Sequence, residues 1–136
     1  RVGPDRTVAL GFSIGGAVAA SLAGRHDIDG LILVTPFDSL KAVASGHYPW
    51  LPVGSFFREE LNAAEYLSES DVPTAIVAAE RDTLIPPART DALRRKTGAL
   101  VFDRTIAAAD HNDIYQRPEF HSAMGDALKA VLAAGD

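Results

Sequence analysis

Val8-Ala9-Leu10-Gly11-Phe12-Ser13-Ile14-Gly15-Gly16-Ala17-Val18 decides how the rest of the chain is read. An apolar run enters this stretch and an apolar helical pattern leaves it. Between them Gly11-Phe12-Ser13-Ile14-Gly15 fits Gly-x-Ser-x-Gly. A serine on a sharp strand-to-helix turn occupies a strained backbone with little room around it. Glycine at 11 and at 15 would remove the Cβ atoms expected to clash there. Such a turn pushes the Ser13 hydroxyl outward. It also aims the first amides of the following helix at whatever the hydroxyl meets, and a helix N-terminus favours negative charge. The pentapeptide alone is a weak signal; the strand before it and the helix after it raise it.

The 136 residues suffice for one domain with one core. With 47% hydrophobic and 23% charged residues, the composition is that of an ordinary soluble globular domain. The net charge is −5, and the densest positive run, Arg94-Arg95-Lys96, suits a helix end, so nucleic acid is not an expected partner. There are no cysteines, hence no disulfide framework and no thiol chemistry. No signal peptide and no apolar run of about 18 residues is present, and the expected compartment is the cytoplasm. The chain opens Arg1-Val2-Gly3-Pro4 without methionine and reaches an apolar strand at once, which points to a piece of a longer protein.

Outward from the opening stretch, the pattern alternates. Thr7 to Phe12 is expected as a strand buried on both faces, being short, apolar and glycine-bounded. A helix follows from Ile14 to about Gly24, with Ile14, Ala17, Val18, Ser21 and Leu22 forming the face that packs on a sheet. Leu31 to Thr35 is a second strand, stopped by Pro36. A short helix at Leu40 to Ser45 leads into an irregular run, 47–57, with two prolines, one glycine and four aromatics. A helix resumes from Asn62, its expected N-cap, to Ser68, so that about 41–68 forms a small cap-like segment. Thr74 to Ala79 is a third strand. Pro86-Pro87 opens a helix to Thr97, and Leu100 to Ile106 is a fourth strand whose Asp103 and Arg104 place it near a sheet edge. Phe120, Met124, Ala127, Leu128, Val131 and Leu132 give the apolar face of a closing helix. Strands alternating with helices predict an α/β fold: a parallel sheet of about four strands with helices on both faces.

In such sheets functional side chains gather beyond the carboxyl ends of the strands. Ser13 follows the first strand, Asp82 the third and His111 the fourth, so all three fall at one end of the sheet. A serine hydroxyl is a poor nucleophile at neutral pH. His111 would take its proton and return it to the leaving group. Asp82 would hold the other ring nitrogen and stabilise the imidazolium. The N–H of Ile14, directly after the serine, would be an oxyanion donor. Asp38, after the second strand, is a rival acid, though capping of the next helix is its expected role. Asp110 and Asp113 are expected to shape the loop around His111. His26, His47 and His121 match no position of this arrangement.

Gly11-Phe12-Ser13-Ile14-Gly15-Gly16-Ala17-Val18-Ala19, Glu80-Arg81-Asp82-x-x-Ile85-Pro86 and Asp110-His111-Asn112-Asp113 together resemble the α/β-hydrolase-fold serine hydrolases. The His-Asn-Asp ending and Pro36-Phe37-Asp38-Ser39-Leu40 are similar to the Bem46-like and ABHD-type branch. The resemblance spans nearly all of the chain and implies the C-terminal half of that fold. What precedes the elbow strand in that fold, including the loop with a second oxyanion N–H, falls outside this sequence. The resemblance implies a cofactor-free enzyme that cleaves a carboxylic ester, thioester or amide through an acyl-enzyme. A peptidase or acyltransferase on the same triad is the alternative.

Phe12, Phe37, Tyr48, Trp50, Phe56, Phe57 and Leu84 are the candidate lining of a pocket for a small acyl substrate. The aromatics among them serve equally well to pin an irregular segment on the sheet. No histidine or carboxylate cluster has metal-ligand spacing. A sheet cut before its first strand leaves an open edge, which predicts a homo-oligomer, or a catalytically weak fragment that self-associates.

Overall fold

The computed structural model describes residues 6–23, 27–47, 49–50 and 63–135. Strand β1 (Val8–Phe12) leads into helix α1 (Ile14–Ala23), and β2 (Gly30–Val34) into α2 (Leu40–His47). Helix α3 (Ala63–Ser68) precedes β3 (Thr74–Ala79), α4 (Pro87–Lys96) and β4 (Leu100–Ile106). A 3-10 turn at Ile114–Gln116 and helix α5 (Pro118–Ala134) complete the order. Among the described residues no helix is long and apolar enough to cross a membrane.

The four strands are all parallel and lie in chain order, β1-β2-β3-β4. The two central strands are buried along their whole length and apolar except for Thr74, as residues covered on both faces must largely be. Alternate residues feed two cores. Ile32, Val34, Ala75, Val77 and Ala79 meet Phe120, Ala123, Ala127 and Val131 of α5 on one face. Leu31, Leu33 and Ile76 meet α1, α3 and α4 through Ala20, Leu67 and Leu93 on the other. Parallel pairing forces each connection across a face, and this puts every strand's carboxyl end at the same rim.

The edges match the sequence reading in position, and β1 departs from it in burial. Strand β4 has the expected edge character: its residues alternate between half-buried and exposed, and Arg104 pairs with Asp126 at 2.9 Å. Strand β1 is not buried on both faces, since Leu10 is 47% and Phe12 40% exposed. Among the described residues it pairs only with β2, so an apolar strand is a sheet edge here. Helix α1 also packs differently. Ala17, Ala19, Ala20 and Ala23 are buried, whereas Val18 and Leu22 face outward. Alanines permit a closer approach to the sheet than branched side chains, and the sheet lies on their side.

Helix α2 corrects the expectation for Asp38. The cap is its neighbour: Ala42 N–H donates to Ser39 Oγ at 3.2 Å. Asp38 instead accepts from Arg89 of α4 at 3.3 Å, which links the start of α2 to the helix beyond β3. In the same way Arg94, expected in solvent, pairs with Asp91 and with Asp103 of β4. Asn62, His26 and most of the run 47–57 lie outside the described residues.

Candidate active site

The rim carries three non-glycine residues with positive φ: Ser13 (54°), Thr35 (48°) and Ala108 (61°). They follow β1, β2 and β4. Strained backbone of this kind concentrates at functional sites because the surroundings must hold it in place. At Ser13 the holding groups are visible. Its N–H donates to Val34 O at 2.9 Å, and its carbonyl accepts from Gly16 N–H at 2.9 Å as α1 begins. A Cβ on Gly11 would lie 2.6 Å from Gly15 O and from Gly16 Cα, so only glycine fits beneath the turn. Gly15 is not needed in this way: a Cβ there would meet nothing within 4 Å. The Ile14 N–H lies in the first turn of α1, where amides have no intrahelical acceptor.

Asp82 is buried, 6% exposed, at the end of β3. Its two oxygens do different work. Oδ1 accepts from Leu84 N–H at 3.0 Å and from Ile85 N–H at 2.7 Å, which folds the loop around the carboxylate. Oδ2 lies 2.8 Å from His111 Nδ1. A turn-forming aspartate and a histidine-orienting aspartate are therefore the same residue. The bond to Nδ1 leaves Nε2 of His111 as the ring nitrogen available for proton transfer. Among the described residues Ser13 Oγ and His111 make no direct hydrogen bond.

The His111 loop is held by a polar clasp. Asp110 Oδ1 accepts from Asn112 and Asp113 N–H, each at 2.8 Å, and Asp113 Oδ1 accepts from Asp110 N–H at 2.8 Å. Arg117 donates to Asp113 Oδ2 at 2.7 Å and to Ala108 O at 3.0 Å. The Arg117 hydrogen bond holds the Asp113 carboxyl below its ordinary range, with the Asp110 amide adding to the effect. Glu80 accepts from Ala108 N–H at 2.5 Å and ties this loop to the end of β3. Arg117 and Glu80 were not singled out from the sequence, although Asp113 and Arg117 stand at i and i+4.

The candidate pocket residues divide. Phe12 and Leu84 are exposed at the rim. Phe37 is not a surface residue: at 2% exposure it packs with Val43 and Ile85 below the rim and serves the core. Trp50 is 77% exposed. Tyr48, Phe56 and Phe57 lie outside the described residues. His47, without a role in the sequence reading, has Nε2 2.6 Å from Leu84 O and so touches the Asp82 loop. Among the described residues no group of three His, Asp or Glu could hold a metal ion.

The fold is that of the α/β hydrolases. The chain superposes on a puromycin hydrolase with a TM-score of 0.71 at 19% identity, covering 93% of this chain and 22% of that one. It also superposes on MGS-MChE2, an α/β hydrolase enzyme from the metagenome of Mar Chica lagoon sediments, with a TM-score of 0.69 at 19% identity, covering 92% and 62%. In sequence it is 30% identical over 112 residues to an uncharacterized protein, Rv2307c, of Mycobacterium tuberculosis, which is 82% of this chain and 40% of the relative. The chain thus spans about 40% of the length of the curated relatives it matches. No family model matches.

Proposed function

We propose that this chain carries the catalytic residues of a serine hydrolase of the Bem46-like or ABHD type, acting on a carboxylic ester, thioester or amide in the cytoplasm. The supporting observation is the 2.8 Å bond between Asp82 and His111 Nδ1, at the same rim as a strained Ser13. In this reading Ser13 Oγ attacks the substrate carbonyl as its proton passes to His111 Nε2. The carbonyl electrons move to the oxygen, which the Ile14 N–H stabilises. Collapse expels the leaving group, which takes the proton from His111. Water then repeats the sequence and releases the acid and free Ser13. Asp82 keeps the imidazole in the required tautomer. The chemistry asks for no cofactor. A peptidase or acyltransferase would use the same steps with another leaving group or acceptor.

A fluorophosphonate probe tests this reading. Covalent labelling of the protein that disappears in Ser13→Ala is the expected result. Equal labelling of both, or of neither, would sink it.

A second reading is favoured by the β1 edge. Leu10, Phe12, Val18, Leu22 and Leu128 are all exposed there, beside a strand with one free side. Such an edge pairs readily with an identical one, so the chain forms a homodimer through β1, and self-association is its main property if labelling fails. Light scattering should give twice the chain mass, reverting to one chain in Leu10→Asp; a wild-type monomer at every concentration refutes it.

A further inference from the structure

Tyr115 lies four residues after His111, in the 3-10 turn at Ile114–Gln116. Two neighbouring residues of that segment behave differently. Ile114 is fully buried and anchors the turn in the core, while Tyr115 remains 37% exposed at the rim. The Tyr115 ring sits between two phenylalanines. Its centroid is 5.6 Å from Phe12, the residue directly before Ser13, and 5.3 Å edge-on from Phe120 at the start of α5. Aromatic pairs at these separations are attractive beyond their buried area. The hydroxyl interacts with the side chain of Thr35.

Thr35 is itself one of the strained rim residues. It is 1% exposed, has φ 48°, and bonds through N–H to Val77 O at 2.8 Å and through Oγ1 to Val34 O at 2.8 Å. The same Val34 carbonyl accepts the Ser13 N–H. Tyr115 therefore touches the elbow through Phe12 on β1, the residue directly before Ser13. On the histidine side its connection is covalent and short.

We infer that Tyr115 is a positioning residue: its ring on Phe12 ties the His111 loop to the Ser13 elbow and fixes where the imidazole stands. This rests on the Ser13–His111–Asp82 reading for its catalytic meaning, but the tie itself is structural. Asp110, Asp113, Arg117 and Glu80 connect the His111 loop to itself and to the end of β3, and among the described residues no bond of this polar clasp reaches β1; Tyr115 does reach it, through Phe12. Burial pushes the Tyr115 hydroxyl above its ordinary value, the Thr35 bond offsets part of this, and the Asp82 charge raises it further.

The test reads the imidazole directly. In wild-type protein the His111 Nδ1 proton, held by Asp82, should give a downfield NMR resonance protected from exchange with water. Tyr115→Phe keeps the ring and should keep the resonance. Tyr115→Leu, which keeps apolar bulk without the ring, should broaden it, and so should Phe12→Leu. The double variant should be no worse than either single one, because both remove one contact. Val131→Ala, in the α5 core away from the rim, should lower Tm and leave the resonance intact. Persistence of the signal in Tyr115→Leu, or equal loss in Val131→Ala, would overturn the inference. Fluorophosphonate labelling of Ser13, run in parallel, should slow about tenfold to a hundredfold in Tyr115→Leu. If wild type fails to label while the resonance behaves as stated, the hydrolase reading falls and the tie stands.

Discussion

The two sides of the site are held by different physics. The elbow is steric. Backbone hydrogen bonds to Val34 O and from Gly16 N–H hold Ser13 at φ 54°, and α1 lies so close to the turn that a Cβ on Gly11 would sit 2.6 Å from two backbone atoms. The loops bearing Asp82 and His111 are polar. Carboxylates there close on backbone amides, and Arg117 locks Asp113 and Ala108 together. A steric device responds to volume and is indifferent to pH. A polar device tolerates small changes of volume and responds to charge.

That contrast can be broken in order of severity. Asp82→Asn keeps shape but removes charge, so it should leave Tm close to wild type while slowing Ser13 labelling by about 10³–10⁴-fold, since an amide favours the wrong imidazole tautomer. Labelling at the wild-type rate would show that charge is not what the polar side supplies. Gly11→Ala is the converse. It adds one methyl and no charge, yet should cost about 3 kcal/mol or more in chemical denaturation, because the atoms it meets are backbone and cannot step aside.

Arg117→Ala should separate the two sides by pH. Asp113 has a folded pKa below its ordinary 3.8, so its bond to Arg117 contributes stability above that value and loses it as pH falls through the depressed one. The Tm difference between wild type and Arg117→Ala should be steady near neutrality and vanish in strong acid. A difference that grows on acidification contradicts this sign. The smallest effect belongs to Gly15→Ala. It lies in the first turn of α1 with nothing within 4 Å, so a stability change within about 1 kcal/mol is expected, with alanine the better helix former. Gly11→Ala and Gly15→Ala equal in effect would erase the steric distinction.

Much of this was legible from residue order. Alternating apolar strands and helices predict the parallel sheet, and Thr74–Ala79 and Leu100–Ile106 form strands with the expected bounds. Ser13, Asp82 and His111 were legible because each stands just past a strand. Other features depend on what lies across the space. An apolar strand reads the same whether both its faces are covered or one is bare, and so the burial of β1 was misjudged, although its open edge was expected. Asp38 and Ser39 are both capping residues, and only the start of α2 selects Ser39. Tyr115 carried no local signal, since Phe12 and Phe120 reach it from distant parts of the chain.

The sequence alone determined the α/β class, the turn after β1 and the chemistry available at the rim. These follow from periodicity, glycine sterics and side-chain type, all of which are local. Tertiary structure decided which glycine is indispensable, that Asp82 both shapes its loop and orients His111, and that Leu10 and Phe12 of β1 stand exposed. Those properties are distances between residues far apart in the chain, and they exist only once the sheet has brought the strand ends to a common rim.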